Sequence, residues 1–251
     1  MYMKICIYIV LVPSRQKCFQ PTEGSCPQSF LPTVTSTYII MSKKSFYYEI
    51  LIFSLIFLFL IIPPFFVAPV SDVSVLFSWG FPWKQAGLCL FAVVLFIFSI
   101  GLNTKKGFFF PSMLALSALF LCVLIIKIVT KTQFVEHKTT LPASNIQWIF
   151  CILTFLCSAV YEEIIYRFYF TDALHRLLEY TPASGKKWIF WFCEITGLFV
   201  FAFAHFYLGI ASVVNAAFAH VILRLLYKKT NFIWNCVIIH FIYNIISLIL
   251  L

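Results

Sequence analysis

Residues 149–167 read Ile-Phe-Cys-Ile-Leu-Thr-Phe-Leu-Cys-Ser-Ala-Val-Tyr-Glu-Glu-Ile-Ile-Tyr-Arg, an apolar run that ends in Glu162, Glu163 and Arg167. The apolar part has the composition of a membrane-spanning helix. A carboxylate at bilayer depth is costly, so acidic side chains in such a segment usually face a polar cavity inside the protein and have a function there. The stretch therefore predicts a membrane helix that carries part of a buried polar site.

The composition is that of an integral membrane protein. Of the 251 residues, 62% are hydrophobic and only 11% are charged, whereas soluble domains carry about 25% charged residues. The net charge of +9 comes largely from Lys and Arg between the apolar runs, which is a topology signal and argues against nucleic-acid binding. The nine cysteines form no Cys-x-x-Cys pair, so neither a disulfide framework nor a zinc knuckle is indicated.

We predict an all-α fold, a polytopic membrane helix bundle of about seven transmembrane helices. The chain has seven apolar runs, and the length of each is close to the roughly 20 residues that a helix needs to cross a bilayer. The runs are Tyr47–Val67, Gln85–Leu102, Phe108–Val129, Ile146–Phe168, Trp188–Phe206, Leu208–Tyr227 and Phe232–Leu251. Pro63 and Pro64 should kink or end the first run. More Lys and Arg residues fall on the side of Lys43 than on the other, which predicts a cytoplasmic (inner) membrane protein with its amino terminus inside.

The chain divides into three parts. Residues 1–40 contain a polar stretch without a core-forming pattern, and Met41 directly precedes the first strong apolar run. We expect residues 1–40 to be a disordered extension, or one that is not translated at all. Residues 41–145 should form the amino-terminal transmembrane helices, and residues 146–251 the core that carries the polar site.

Polar side chains recur at helical spacing on three of the apolar runs. Glu163 and Arg167 are four residues apart and can form an ion pair, which leaves Glu162 to point into the bundle. His205 ends the fifth run, four residues after Phe201, and the seventh run carries a second such pair, His240 and Asn244. Members of each pair share one face of their helix. We interpret His220, Arg224, Asn215 and Glu194 as residues that hydrogen-bond within the bundle or end its helices.

These residue types suffice for the hydrolysis of a peptide bond. A glutamate can take a proton from water, an imidazole can share that task or protonate the leaving amine, and His with Asn can donate to an oxyanion. Two His and one Glu can also bind zinc. The chain has no His-Glu-x-x-His signature, so the cofactor is unknown and a divalent metal is possible without a local motif. Buried Glu and His also occur in ion paths, so a small transporter and a non-catalytic scaffold or immunity protein are the alternatives.

The motifs Glu162-Glu163-x-x-x-Arg167, Phe201-x-x-x-His205 and His240-x-x-x-Asn244, in this order, resemble those of the CPBP intramembrane proteases. This family, also called Abi, contains the CAAX-processing and bacteriocin-processing enzymes, and the resemblance covers roughly residues 146–251. It implies a membrane protease that acts on a membrane-associated peptide or a lipidated protein. It also implies the following roles: Glu162 as general base, His205 as its partner, His240 with Asn244 as oxyanion donors, and Glu163 with Arg167 as the rest of the first motif.

The depths of the two histidines conflict on this interpretation. His205 lies about 26 Å along its helix from Trp188, whereas His240 lies only about 12 Å from Phe232. Both helices are expected to start on the same side of the membrane. We therefore expect the fifth run to begin as an interfacial helix, a position that suits Trp188 and Trp191.

We predict that a protein containing residues 41–251 alone inserts into membranes and is as stable as the full chain. The reason is that the preceding stretch has no pattern with which to pack on the bundle. Membrane-fraction yield and thermal unfolding in detergent would measure this. A truncated chain that is degraded while the full chain accumulates would contradict it.

Overall fold

The computed structural model describes residues 43–67, 80–99, 109–130 and 141–250. Within these ranges the chain forms seven helical rods and contains no β-strand. The prediction of an all-α bundle is therefore confirmed. The expectation for residues 1–40 lies outside the described residues.

The rods follow the predicted apolar runs closely. The first consists of α1 (Lys43–Ile56), a π turn (Phe57–Ile61) and a 3₁₀ turn (Pro63–Phe66). The prolines therefore end this rod, as predicted. The other α-helices are α2 (Trp83–Ser99), α3 (Phe109–Thr130), α4 (Asn145–Glu162), α5 (Thr171–Glu179), α6 (Lys187–Phe203), α7 (Ile210–Thr230) and α8 (Ile233–Leu250).

Four of the helical segments in the described ranges are long and apolar enough to cross a membrane. They are Phe46–Phe66, Phe109–Ile126, Asn145–Glu179 and Ile210–Thr230. The helices Trp83–Ser99 and Ile233–Ile249 are apolar but shorter. Side chains such as Phe59 and Phe98 are 70% and 77% exposed, which is the surface expected of a protein that meets lipid. The chain is an integral membrane protein.

The fourth rod is longer than its apolar run. We expected it to end near Phe168, but it continues to Glu179, and α4 and α5 are joined by a π-helical segment at Glu163–Phe170. The rod begins at Ser144, whose hydroxyl accepts a hydrogen bond from the Gln147 amide at 3.3 Å, as an N-cap does. The residues beyond Phe168 remain helical because α5 packs on α6 and α1.

The core of the bundle surrounds this fourth rod. α2 and α8 pack on α4, and α6 and α7 pack on each other. The π segment is buried almost throughout, including Ile164, Ile165 and Phe170. The polar residues of the first motif therefore lie in the centre of the protein and not on its surface.

The connection between α6 and α7 is short and sharply turned. It contains His205 and a 3₁₀ turn at Phe206–Leu208, and it ends at Gly209. The φ angle of Gly209 is 90°, a left-handed conformation that favours glycine. This turn places His205 just beyond the carboxyl end of α6.

We predict that Gly197→Ala destabilises the bundle where α6 approaches Thr171. A Cβ at Gly197 would lie 2.6 Å from Thr171 Oγ1, and overpacking of this kind costs about 1–3 kcal/mol. Gly87→Ala in α2 is the matched control, because a Cβ there meets no atom within 4 Å and alanine favours a helix by about 1 kcal/mol. Thermal unfolding in detergent should show a lower midpoint for Gly197→Ala only. Equal midpoints in both variants would show that the contact at Thr171 is not tight.

Candidate active site

The centre of the site is a fully buried ion pair between neighbouring turns of the fourth rod. Glu163 and Arg167 are both 0% exposed, and Arg167 Nη1 donates to Glu163 Oε1. The ion pair predicted from the spacing of these residues is therefore present. Burial makes the pairing strict, because a charge left alone in this environment would cost several kcal/mol.

His240 brings α8 to the same carboxylate. Its Nδ1 lies 2.6 Å from Glu163 Oε1, and its Nε2 lies 3.9 Å from Glu162 Oε2. The imidazole thus stands between the two adjacent glutamates. An ionised carboxylate can only accept a hydrogen bond, so Nδ1 carries the proton in this pair. The spacing along the chain predicts only the Arg167 partner of Glu163, because His240 lies 77 residues away in sequence.

His205 approaches Glu162 from another direction. Its Nδ1 lies 2.9 Å from the backbone carbonyl of Phe201, and its Nε2 lies 3.7 Å from Glu162 Oε2. A carbonyl oxygen only accepts, so Nδ1–H is the donor and the neutral ring presents an Nε2 lone pair to Glu162. A polar separation above 3.5 Å is one that a bridging water spans.

The Phe201 ring contacts both the Arg167 guanidinium and the His205 imidazole. It is 2% exposed, the Arg167 guanidinium lies over its face at 4.7 Å, and the His205 ring centroid lies 4.9 Å from its own. A cation over an aromatic face is favourable, more so when water is excluded. Phe201 therefore covers the buried arginine and orients the histidine through its carbonyl.

Asn244 lies one helical turn beyond His240 on α8 and is half-buried. Its carboxamide makes no hydrogen bond to the described residues. The structure thus links five of the six candidate residues by polar separations of at most 4.0 Å: Glu162, Glu163, Arg167, His205 and His240. Asn244 forms no hydrogen bond with these five residues.

Three tyrosines near Glu162 were missed in the sequence. The phenol groups of Tyr161, Tyr166 and Tyr207 all lie within electrostatic range of its carboxylate. Tyr161 and Tyr166 stack edge to face with centroids 6.3 Å apart. Aromatic residues are common throughout the chain, so no sequence signal separated these three from the rest.

The residues interpreted as bundle residues do pack within the bundle. The Asn215 carboxamide and the Tyr243 hydroxyl lie 2.9 Å apart, and Arg224 pairs with Glu194 at 2.8 Å. His220 is 2% exposed and lies against the Phe201 ring at 5.3 Å between centroids. In the described ranges no group of three or more His, Cys, Asp or Glu is arranged to hold a metal ion.

The two histidines meet at one carboxylate oxygen. Both Nε2 atoms are within 4 Å of Glu162 Oε2, although the run before His205 is about 14 Å longer than the run before His240. α6 therefore starts farther from the site than α8 does. The extension of the fourth rod through α5 supplies the surface on which the first part of α6 packs.

Comparison with protein families assigns the carboxyl-terminal part of the chain. Residues 144–246 match the model described as type II CAAX prenyl endopeptidase Rce1-like. This stretch belongs to the Rce1-like CAAX protease family. The resemblance stated from the three motifs is therefore confirmed, since CPBP and Abi are names of the same family. Neither curated proteins nor solved structures gave a significant match.

The match over this stretch supports a CAAX-type intramembrane protease, a hydrolase that acts on peptide bonds. The matched stretch begins at the Ser144 cap of α4 and ends in α8. It therefore contains every side chain of the site described above.

We predict that Arg167→Ala strongly destabilises the protease. Removal of one partner from a buried ion pair costs about 3–5 kcal/mol, because Glu163 keeps its charge. The control is Arg176→Ala, whose side chain is 41% exposed and pairs with Glu49, which is 11% exposed. Water reaches this arginine, so its loss should cost less than the loss of the fully buried Arg167.

Folded yield and thermal unfolding in detergent would compare the two arginine variants. Arg167→Ala should lose most of its folded yield and Arg176→Ala should keep it. Equal losses of folded yield in the two variants would mean that burial of the pair between Glu163 and Arg167 does not increase its contribution to stability.

Proposed function

We propose that this protease uses Glu162 and His205 to activate water and cleaves a peptide bond in a membrane-associated, lipidated protein. The observation that supports this most directly is the convergence of His205 Nε2 and His240 Nε2 on Glu162 Oε2, at 3.7 and 3.9 Å. Three groups that can exchange protons thus surround one point inside the bundle. A water molecule at that point can donate to the carboxylate and to the lone pair of His205 at once.

The reaction begins with the water. As its oxygen attacks the carbonyl carbon of the substrate, one O–H proton passes to Glu162 or His205 and the carbonyl oxygen takes the negative charge. Collapse of the tetrahedral intermediate then breaks the C–N bond, and the stored proton passes to the leaving amine. The base is thereby regenerated, and the products are a carboxylic acid and an amine.

His240 and Asn244 are the proposed donors to the oxyanion. The Asn244 carboxamide has two N–H groups and no competing partner among the described residues. His240 can donate from Nε2 only when both of its nitrogens carry protons, since Nδ1–H already serves Glu163 at 2.6 Å. The Glu163 carboxylate is the anion that stabilises this doubly protonated ring. Each such donor contributes about 2.7–4 kcal/mol where it has been measured.

The remaining members of the first two motifs hold this arrangement. Arg167 balances the charge of Glu163, and Phe201 covers Arg167 and fixes the tautomer of His205. The substrate is proposed from the family alone, whose members act on membrane-associated prenylated proteins. We also propose an inside amino terminus, from the distribution of Lys and Arg, and the inner membrane as the location.

We predict that Glu162→Gln and His205→Ala each abolish hydrolysis of a farnesylated CAAX peptide by the purified protease in lipid vesicles. The double variant should be no slower than either single one, because members of one catalytic unit are not additive. Matched controls are Glu179→Gln and His175→Ala, a carboxylate and an imidazole near each other on α5. Peptide release measured by mass spectrometry should persist in both controls.

The same assay also distinguishes the alternatives. A wild-type protein that binds the peptide but never cleaves it would favour a scaffold. Undiminished cleavage by Glu162→Gln would remove Glu162 from the mechanism. An unprenylated copy of the peptide that is cleaved equally well would remove the lipid from the proposed substrate.

A further inference from the structure

A cluster of charged side chains lies outside the site, where α5, α6 and α7 meet. Arg224 of α7 donates from Nε and Nη2 to the Glu194 carboxylate at 3.0 and 2.8 Å, and from Nη2 to Asp172 Oδ1 at 2.9 Å. Lys228 also pairs with Glu194, at 2.8 Å. Two cations and two carboxylates balance each other, so this cluster requires no external ligand.

Arg224 also makes one contact with an uncharged group. Its remaining terminal nitrogen, Nη1, donates to the backbone carbonyl of Arg167. Arg167 is the residue that pairs with Glu163 in the candidate active site, and Arg224 is only 6% exposed. A guanidinium whose other donors are held by two carboxylates is rigid, so it fixes the position of the carbonyl it touches.

The π segment explains why the Arg167 carbonyl needs an outside donor. In a π helix each amide bonds the carbonyl five residues back, whereas in an α-helix it bonds the carbonyl four residues back. Where the spacing returns from five to four, one carbonyl is passed over. The π segment ends at Phe170 and α5 begins at Thr171, and counting back from this boundary places the passed-over carbonyl at Arg167.

We propose that Arg224 is a positioning residue of the protease: its contact with the Arg167 carbonyl holds the π segment, and with it the Glu163 carboxylate, in register with His240. Without that donor the fourth rod loses the contact that favours π over α spacing. Reversion to α spacing would rotate Glu163 relative to Arg167 and lengthen the 2.6 Å contact between Glu163 and His240. The kinetic test of this proposal rests on the proposed function, because it measures peptide hydrolysis.

The kinetic test uses Arg224→Met with Lys228→Met as the matched control. Both variants remove a cation from Glu194, but Lys228 does not touch the π segment and is 35% exposed. Arg224→Met should lower kcat about 10²-fold, the loss that a misplacement of about 1 Å produces, with KM unchanged. Lys228→Met should keep the wild-type kcat.

A double variant guards against loss of folding. Arg224→Met leaves Glu194 buried without its main partner, whereas Arg224→Met with Glu194→Met removes both charges and restores an apolar contact. Asp172 and Lys228 are 39% and 35% exposed, so water can solvate them. The double variant should recover thermal stability and stay slow, because no donor reaches the Arg167 carbonyl. Arg224→Lys keeps the charge and should recover part of kcat.

A spectroscopic test makes the inference independent of hydrolysis. A short N–H···O bond such as that between His240 Nδ1 and Glu163 shifts its proton strongly downfield in NMR. With ¹⁵N-histidine labelling, the signal can be assigned by its loss in His240→Gln. It should move upfield or vanish in Arg224→Met and in the double variant, and persist in Lys228→Met.

Three results would overturn the proposal: an unchanged His240 signal in Arg224→Met, a full recovery of kcat in the double variant, or equal losses of kcat in Arg224→Met and Lys228→Met. If the wild-type protein cleaves no peptide, the proposed function fails. The His240 signal then decides alone whether Arg224 positions the site.

Discussion

The need to pair the fully buried Glu163 carboxylate is the constraint on which the rest of the site depends. An ionised carboxylate inside an apolar bundle is tolerated only when cations and hydrogen-bond donors surround it. Arg167 supplies the charge and His240 a second donor, so one oxygen holds together the fourth rod and α8. Any movement that separates these helices would leave the carboxylate buried with fewer donors, which is unfavourable. The geometry around Glu162 is stable because the adjacent Glu163 carboxylate cannot be left unpaired.

The side chains of the three motifs differ in how far they are buried. Glu163, Arg167 and Phe201 are fully or almost fully buried, and among their contacts are those with each other, with His205 and with His240. Glu162 and His205 remain partly exposed, at 21% and 23% of their side chains. A group that must meet water and substrate needs such access, whereas a group that orients it is most rigid when buried. The difference in burial between the adjacent glutamates therefore matches their different proposed roles.

The change of helical spacing in the fourth rod connects the site to its surroundings. A π segment is less stable than an α-helix of the same residues and persists only where side chains compensate for it. Thr171 Oγ1 donates to the Tyr166 carbonyl at 3.3 Å, and Arg224 donates to the Arg167 carbonyl. Both contacts lie at the end of the segment, where the backbone returns to α spacing. α5 and α7 thus contact the backbone of the candidate site although they contain none of the proposed reacting groups.

Hydropathy and residue spacing by themselves determine much of this protein. Apolar runs of bilayer length require helices, since backbone groups in lipid must be satisfied within the segment. A four-residue separation places Glu163 with Arg167, and Phe201 with His205, on common helix faces whatever the tertiary structure. The all-α bundle, the family and the central ion pair therefore followed from sequence alone.

Only the tertiary structure decided how the helices face one another. The contact of His240 with Glu163 spans 77 residues, and that of Arg224 with the Arg167 carbonyl spans 57. Such contacts depend on rotations between helices, which local periodicity does not specify. The π segment and the continuation to Glu179 were likewise invisible, because the same residues can form α or π spacing and the choice falls to packing against α6 and α7. Sequence determined which side chains share a helix face, and tertiary packing decided which faces meet, because burial energy acts between helices that are distant in the chain.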